Sequence, residues 1–439
     1  MPSKRRVIIL GAAGRDFHNF NVFYREKPEF EVCCFTAAQI PGIAGRKYPA
    51  SLAGRHYPRG IRIFPEENLP SLIRKFKADE VVLAYSDLSH ANVMHKASIA
   101  LACGASFSML GPKDTMLSSS KPVIAVCAVR TGCGKSQLTL KIAKLLKQHG
   151  KNAVIARHPM PYGKLEEQSC QRFESSEDLL AGKCTVEERE EYEPLVREGF
   201  AVYAGVDYEK ILRSAEKEAD VVIWDGGNND FSFYKPDLLF CVADALRPGH
   251  ELLYHPGESN FRMADVIIIN KASSADRGAV EKILANAKAL NPKALVIEAN
   301  SEISAEGIER IRGKKVIAVE DGPSITHGGL PFGAACLIAK KHDAVLADSS
   351  AHAVGSIKET FRKFPHLHNV LPAMGYSKRQ LAELERTINK TPADFVVSGT
   401  PADLSRLIKC NKPIIQVSYS IQEIGKLSIE QLLKKKRFI

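Results

Sequence analysis

The feature that most constrains the fold is a glycine-rich loop between an apolar strand and an amphipathic helix. The strand reads VIAVCAV, the loop RTGCGKS occupies residues 130–136, and the helix begins QLTLKIAKLL. Glycines let the backbone curl until its amide groups point at phosphate oxygens, and the amino end of the helix adds partial positive charge there. This context predicts a parallel α/β sheet that binds a nucleoside triphosphate at the loop.

Two motifs supply the chemistry expected at such a loop. Lys135 is positioned for the β- and γ-phosphates, and the Ser136 hydroxyl is expected to be a ligand of Mg²⁺. Asp225 ends the strand DVVIWD, and its carboxylate is expected to hold the same ion directly or through water. The predicted nucleotide-binding residues are Thr131, Gly132, Cys133, Gly134, Lys135, Ser136, Gln137, Asn270 and Lys271.

The sequence leaves open whether the nucleotide is ATP or GTP. The strand DVIIIN delivers Asn270 and Lys271, which resemble the NKxD base-recognition motif of GTPases, but Ser273 stands at the fourth position. A serine hydroxyl cannot supply the charged, bidentate acceptor that guanine selectivity requires. Asp276, three residues further on, is the alternative acceptor.

The loop resembles the deviant P-loop KGGxGK[ST] of the class that contains MinD-like ATPases and metallochaperone GTPases. In that resemblance Arg130 takes the position of the signature lysine, a cation that reaches the phosphates of a facing subunit. The resemblance implies a charge-stabilising Arg130 and a homodimer, with a surface arginine as the alternative. The predicted catalytic residues are Arg130, Lys135, Asp225 and Asp244.

Basic and titratable side chains gather in the connections that follow the predicted strands. Guanidinium groups bind oxyanions in a bidentate way, and imidazole can also move a proton, so this chemistry favours an anionic small molecule as the second substrate. Surface polarity and helix capping are the alternative explanation. The predicted substrate-contacting residues are Arg157, His158, Tyr162, Asn228, Asn229, Arg247, His250, Arg262 and His327.

The chain is too long for one hydrophobic core, and its pattern predicts an α/β protein in three parts. Residues 1–115 alternate short apolar runs with helical stretches and predict a Rossmann-like domain. Residues 121–340 predict a doubly wound P-loop NTPase sheet. Residues 341–439 predict a C-terminal α/β segment that either stands as a separate domain or completes the P-loop sheet.

Two turns of the first part are expected at the carboxyl edge of its sheet, where α/β proteins bind ligands. Residues 11–14 (GAAG) end the first strand and could meet a phosphate, although the full GxGxxG pattern is absent, and a structural turn is the alternative. His90 and Asn92 follow the strand VVLAY and are candidates as well. Helix capping by Ser86 or Asp87 explains that segment equally well.

Composition narrows the range of partners. Hydrophobic residues make up 45% and charged residues 25%, and no apolar run is long enough to span a membrane. Ten cysteines without CxxC pairs indicate a reducing, cytoplasmic setting. The net charge of +11 could attract nucleic acid, but only residues 434–437 form a dense basic run, so a nucleic-acid partner is not expected.

Five segments carry a resemblance that covers nearly the whole chain; they are RTGCGKS, RHPMPYG, WDGGNND, RPGHELLYHPGESNFRMADVIIINK and THGGLPFG. They resemble a family described both as predicted P-loop GTPases and as cyclic 2,3-diphosphoglycerate synthetase-like proteins. The resemblance implies an enzyme that uses ATP to close a phosphoanhydride between the two phosphates of 2,3-diphosphoglycerate. A GTPase or ATPase switch that acts on a protein partner is the alternative.

Overall fold

The structure is a computed structural model that describes residues 4–38, 43, 45–158, 163–227, 230–326, 331–367, 369–374 and 378–439. Its architecture is mixed α/β with large, mainly parallel sheets, which confirms the predicted fold class. None of the helices within these ranges combines the length and the apolar character needed to cross a membrane.

The first sheet is built by the amino-terminal part of the chain. Its strands and the short β6 are β1 (Arg5–Leu10), β2 (Phe30–Ala37), β3 (Lys47–Tyr48), β4 (Ile61–Pro65), β5 (Glu80–Leu83), β6 (Leu88–Ser89) and β7 (Ser106–Met109). The helices are α1 (Arg15–Asn19), α2 (Ala50–Ala53), α3 (Leu69–Phe76), α4 (His90–Ala102) and α5 (Pro112–Thr115). The strand order is β3-β4-β2-β1-β5-β7, and β1, β2, β4, β5 and β7 run parallel.

The P-loop lies in a second, larger sheet. Its strands and the short β14 are β8 (Val123–Ala128), β9 (Ala153–Arg157), β10 (Gln171–Phe173), β11 (Ala201–Ala204), β12 (Val221–Asp225), β13 (Leu238–Asp244), β14 (Tyr254–His255), β15 (Val266–Asn270) and β16 (Leu295–Ala305). The helices are α6 (Lys135–Gln148), α7 (Ser176–Ala181), α8 (Val186–Arg197), α9 (Tyr208–Ala215), α10 (Gly257–Met263) and α11 (Arg277–Leu290). The order is β10-β11-β9-β12-β8-β13-β15-β16, and only β10 pairs antiparallel among these neighbours.

The carboxyl-terminal strands continue this sheet through a long antiparallel pair. They are β17 (Lys315–Asp321), β18 (Val345–Leu346), β19 (Val370–Ala373), β20 (Phe395–Ser398) and β21 (Ile414–Ile424). The helices are α12 (Gly322–Ile325), α13 (Ala334–Lys341), α14 (Gly355–Lys363), α15 (Lys378–Lys390), α16 (Leu404–Leu407) and α17 (Ile429–Lys435). β21 pairs with β16 and then with β20, and β17 pairs with β18, β19 and β20. The domain boundaries themselves stay a prediction.

Burial explains why the central strands read as unbroken apolar runs. Every residue of β8, β12, β13 and β15 is buried, as expected for parallel strands that are covered on both faces. Leu138 and Ile142 of α6 belong to the core on one face, and Tyr208 and Trp224 belong to the core on the other. The loop at residues 129–134 therefore leaves a rigid strand and enters a helix that is anchored along its apolar side.

Contacts between the two sheets bring their carboxyl edges together. The His18 ring stacks on Phe233 with centroids 4.2 Å apart, and Arg15 forms a buried ion pair with Asp230. The strands β6 and β14 pair antiparallel across the same boundary. Because α1 follows β1 and β6 follows β5, the turns at the carboxyl ends of the first sheet face the P-loop region.

Candidate active site

The glycine positions of the loop have the geometry that a phosphate-binding loop requires. Gly132 has φ 82° and Gly134 has φ 105°, a left-handed conformation that side chains disfavour. A Cβ atom on Gly134 would lie 2.3 Å from Asn270 Nδ2, so the position also excludes a side chain by contact. Helix α6 begins directly afterwards at Lys135, which leaves its first amide groups directed toward the loop.

A buried charge cluster stands next to the loop. The Asp225 carboxylate, at the end of β12, is fully buried and forms ion pairs with Lys135 and Arg157. Arg157 also pairs with Glu191 at 2.8 Å. Burial alone would raise the pKa of Asp225, but the two cations outweigh it and hold that pKa below its usual range. Arg157 thus keeps Asp225 ionised. Its predicted contact with a substrate stays a prediction.

The same cluster has the donor set for a magnesium ion. No group of three His, Cys, Asp or Glu side chains in the described ranges could hold a metal ion. Mg²⁺ needs no such cage, because it binds through one or two protein oxygens together with water and the phosphates of a nucleotide. The exposed Ser136 on the first turn of α6 and the carboxylate of Asp225 fit that pattern.

Side chains at the end of β15 hold the backbone of the loop. Lys271 Nζ donates to the carbonyl oxygen of Gly132 at 2.8 Å, and Asn270 Nδ2 donates to that of Cys133 at 2.8 Å. Lys271 adopts φ 59°, an uncommon conformation for a residue with a side chain, which marks a locally constrained position. In this structure the two residues therefore brace the loop.

The end of β13 supplies a second brace. Arg247 Nη2 donates to the carbonyl oxygen of Thr131 at 2.8 Å, and Arg247 Nε donates to Asp244 at 3.0 Å. The buried Asp244 also accepts from Lys271 Nζ at 2.7 Å. Asp244 thus connects both cations that hold the loop, and the catalytic part predicted for it stays a prediction.

Arg130 is held inside its own chain. It is 8% exposed, its Nε donates to Asp87 at 2.6 Å, and its guanidinium lies 3.7 Å from the centre of the Tyr254 ring. Thr131 Oγ1 donates to the other Asp87 oxygen at 2.8 Å. His250 Nδ1 lies 3.3 Å from Arg130, and burial together with that cation lowers the pKa of His250. The homodimer that the arginine suggested stays a prediction.

His158 lies between the two sheets. A Cβ atom on Gly14 would be 1.7 Å from His158 Nε2, and one on Gly227 would be 2.9 Å from the histidine Cβ. Gly227 follows Asp225 by two residues, so the imidazole lies between the end of β12 and the GAAG turn. Of the predicted substrate residues that the structure describes, His158 is one that contacts a turn after each sheet, at Gly14 and at Gly227.

Other predicted residues lie apart from this centre. Gln137 accepts from Ser301 at 2.8 Å, which turns its side chain toward β16. Arg262 is half exposed and pairs with Glu258 one turn earlier on α10. Four predicted substrate residues fall outside the described ranges; they are Tyr162, Asn228, Asn229 and His327.

Several residues of the site carried little signal in the sequence. Arg15 and Asp16 directly follow the GAAG turn and are both 4% exposed, and the ion-pair partner Asp230 is 2% exposed. Asp87 contacts the P-loop across 43 positions of sequence, and Glu191 approaches Arg157 from α8. For Arg15 and Asp16, the signal in the sequence was two adjacent charged residues directly after a glycine turn at a strand end.

A known protein is similar to this chain over nearly its full length. No protein-family model matches the chain. Arginine synthetase ArcE from Thermococcus kodakarensis is 58% identical over 433 residues, which cover 98% of this chain and 97% of that protein.

Solved structures are more distant. LpxK from Aquifex aeolicus, solved in complex with ATP, is 14% identical with a TM-score of 0.45, covering 84% of this chain and 98% of that one. A UDP-N-acetylmuramate:L-alanyl-gamma-D-glutamyl-meso-diaminopimelate ligase from Neisseria meningitides is 12% identical with a TM-score of 0.29, covering 70% and 82%. These scores are too low to bear on function.

The sequence identity to the arginine synthetase along the whole chain shows the family and confirms the prediction that this protein is an enzyme. It extends over the amino-terminal sheet, the P-loop and the carboxyl-terminal strands, rather than over the nucleotide motif alone. The chain therefore belongs to the family of the arginine synthetase ArcE.

Proposed function

We propose that this protein is an ATP-dependent synthetase whose product is arginine. The observation that carries the proposal is the 58% identity to an arginine synthetase along the whole chain. The loop geometry supports the use of a nucleoside triphosphate, because Gly132 and Gly134 have positive φ values and α6 begins directly after them at Lys135.

The chemistry of arginine formation suggests why a phosphoryl donor would be needed. Arginine differs from its ureido analogue citrulline by one nitrogen in place of one oxygen on the side-chain carbon. That oxygen is a poor leaving group until it is phosphorylated. In the proposed first step the ureido oxygen attacks the γ-phosphorus of ATP, the new O–P bond forms, and the bond to ADP breaks.

The second step replaces the activated oxygen by nitrogen. Ammonia attacks the same carbon, the C–N bond forms, and the C–O bond breaks to release inorganic phosphate. The incoming nitrogen loses a proton, so citrulline, ammonia and ATP yield arginine, ADP and phosphate. The first step needs mainly positioning and charge neutralisation from the protein, as phosphoryl transfer generally does.

The residues of the cluster have separate parts in this scheme. Lys135 leaves Asp225 and binds the β- and γ-phosphates, while Arg157 stays with Asp225 and keeps it ionised. Mg²⁺ held by Ser136 and Asp225 supplies further neutralisation of phosphate charge when it is bound. The braces from Asn270, Lys271 and Arg247 fix the loop.

The acceptor is the finer part of the proposal. The motif resemblance favours 2,3-diphosphoglycerate with a cyclic anhydride as product, whereas the identity to an arginine synthetase favours an amino acid. We choose the amino acid because the identity extends over the full length and the motifs define the nucleotide machinery better than the acceptor.

The test is a product survey with purified protein, Mg²⁺, and ATP or GTP in parallel. Reactions contain citrulline with ammonia, citrulline alone, 2,3-diphosphoglycerate, or no acceptor, and are followed by phosphorus NMR and amino-acid analysis. We expect arginine, nucleoside diphosphate and phosphate in equal amounts only with citrulline and ammonia. A cyclic anhydride from 2,3-diphosphoglycerate, or hydrolysis indifferent to every acceptor, would contradict the proposal; the second result favours the nucleotide switch.

A further inference from the structure

A cavity remains where the carboxyl edges of the two sheets face each other. One wall is made of small residues, Ala12–Gly14 after β1, Ala37 and Ala38 at the end of β2, and Ala84 after β5. Small side chains at three neighbouring strand ends leave room that larger ones would fill. Polar groups line the rest of the cavity, among them Arg15, Asp16, His158 and Asp230.

Charged side chains in this cavity are almost fully buried. Arg15 and Asp16 are both 4% exposed. Asp16 Oδ1 accepts the amide hydrogens of Ala13 at 2.6 Å and Phe17 at 2.7 Å. Burial raises the pKa of Asp16 to about 7, because removing a carboxylate from water disfavours its ionised form.

One donor of Arg15 is unused. Its Nε pairs with Asp230 and its Nη2 donates to the Phe231 carbonyl oxygen at 3.0 Å, while Nη1 has no hydrogen-bond partner among the described residues. A buried N–H group without an acceptor costs free energy that a ligand oxygen would recover. Because Arg15 lines the cavity, an anionic group that binds there would supply the missing acceptor.

The cavity lies next to the nucleotide centre. His158 lines it, and the same imidazole packs on Gly227, two residues beyond Asp225. An extended molecule with one end beside Arg15 and Asp16 would reach His158, which contacts the residue two positions beyond Asp225. That arrangement suits an acceptor whose reacting group is at the far end of its side chain.

We infer that this cavity binds the head group of a free α-amino acid, with Arg15 on its carboxylate and Asp16 on its ammonium group. The inference rests on the proposed function and names the acceptor site for it. A cation and a carboxylate side by side match the two charges of a zwitterion. The loop after β13, by contrast, already uses Arg247 and Asp244 to hold the P-loop.

The test measures binding of L-arginine, L-citrulline and agmatine by calorimetry. Agmatine is arginine without its carboxylate, so the wild-type protein should bind it at least about ten-fold more weakly than arginine. Arg15→Met should bind arginine and agmatine equally, because the carboxylate has lost its partner. Asp16→Asn should weaken arginine about ten-fold or more, while both variants keep the wild-type affinity for ATP.

Asp79→Asn is the matched control. Asp79 accepts a backbone amide hydrogen, from Arg6 at 2.7 Å, but stands exposed at the opposite edge of the same sheet. It should bind arginine as the wild type does. Hydrogen exchange on the wild-type protein adds a measurement that needs no variant: arginine should protect the amides of residues 11–19.

The outcomes separate the inference from the proposed function. Wild-type protein that makes arginine while both variants retain full arginine binding and discrimination against agmatine would overturn the inference alone. Absence of protection at residues 11–19 in a protein that binds arginine would do the same. If the wild-type protein neither makes nor binds arginine or citrulline, the proposed function fails and the inference fails with it.

Discussion

At the scale of single residues, Lys135 has two partners at different stages. In the structure its ammonium pairs with the buried Asp225, and burial lowers its pKa from the ordinary value. A nucleotide would replace Asp225 as its partner, while Arg157 remains to neutralise the carboxylate. The ion pair thus holds Lys135 beside the loop until a nucleotide binds.

Replacing Lys135 by alanine should abolish turnover and leave the fold intact. Loss of a charge that stabilises the transferring phosphoryl group costs about 10²–10³ in kcat or more. Asp225 keeps its second cation, so circular dichroism and the thermal midpoint should change little. Turnover is measured as phosphate release; activity within ten-fold of wild type would contradict this assignment.

Lys141→Ala is the control for that variant. Lys141 lies on the same helix, α6, but forms an ion pair with Glu423 of β21. The turnover of this variant should match the wild type. A comparable loss in both variants would mean that damage to α6, rather than lost charge, explains the effect.

The raised pKa of Asp16 predicts a pH-dependent stability. The folded protein holds this proton to about pH 7, whereas the unfolded chain loses it near the usual pKa of 3.8. Asp16 therefore contributes stability at low pH that is lost as the pH rises toward 7. In Asp16→Asn this loss is absent.

The free energy of unfolding of Asp16→Asn, relative to wild type, should thus be about 2 to 3 kcal/mol higher at pH 8 than at pH 5. Urea unfolding at the two pH values measures it, and Asp79→Asn should show no such difference. An equal effect of Asp16→Asn at both pH values would mean that Asp16 is ionised throughout.

Residues that belong to local motifs could be located from the sequence, and their roles stay predictions. The loop glycines, Lys135 and Asp225 belong to local motifs with a fixed strand and helix context. Arg15 could not be assigned, since its partner Asp230 is 215 positions away and becomes adjacent only when the sheets meet. The ion pair between Arg157 and Glu191 carries no local signal either, and the contact of Arg157 with a substrate stays a prediction.

At the scale of elements, the ends of β13 and β15 determine the shape of the P-loop. Lys271→Met removes the donor to Gly132 and one of the two cations on Asp244. Hydrogen bonds from charged groups contribute about 1.5–3 kcal/mol, so ATP should bind at least about ten-fold more weakly. Calorimetry measures this, with the exposed Lys288→Met on α11 as control.

Unchanged ATP affinity in Lys271→Met would show that the loop keeps its shape without the brace. A loss that appears for GTP but not for ATP would instead assign Lys271 to base recognition, as the NKxD resemblance implied. Either result would replace the bracing interpretation.

The sequence predicts individual strands better than it predicts which strands pair with each other. The apolar runs of β8, β12, β13 and β15 are continuous, and such runs identify buried parallel strands. The strand β17 reads as a similar apolar run, but its neighbours are β18, β19 and β20. Pairing depends on the long antiparallel contact between β16 and β21, which lie more than 100 positions apart and share no local signal.

At the scale of the whole molecule, the amino-terminal sheet is fastened to the P-loop sheet by buried contacts. Phe233 is fully buried and stacks on His18 from the first sheet. Phe233→Ala should lower the free energy of unfolding by about 3–5 kcal/mol. Because the lost contact joins two units, residues 11–19 should then exchange their amide hydrogens before the P-loop sheet does.

Phe173→Ala is the matched control for that prediction. Phe173 is equally buried but stacks on Tyr192 within the P-loop part of the chain. It should destabilise by a similar amount without separating the exchange of the two sheets. Identical exchange patterns in the two variants would show that Phe233 has no special part in joining the sheets.

The most direct measurement of the central claim uses citrulline labelled with ¹⁸O in its ureido group, together with ATP, Mg²⁺ and ammonia. If the ureido oxygen accepts the γ-phosphoryl group, the inorganic phosphate released will carry one ¹⁸O atom for each arginine formed. The claim that this P-loop centre activates an amino-acid acceptor by phosphoryl transfer would be contradicted by either of two results. One is arginine formed with unlabelled phosphate, and the other is labelled phosphate released without arginine.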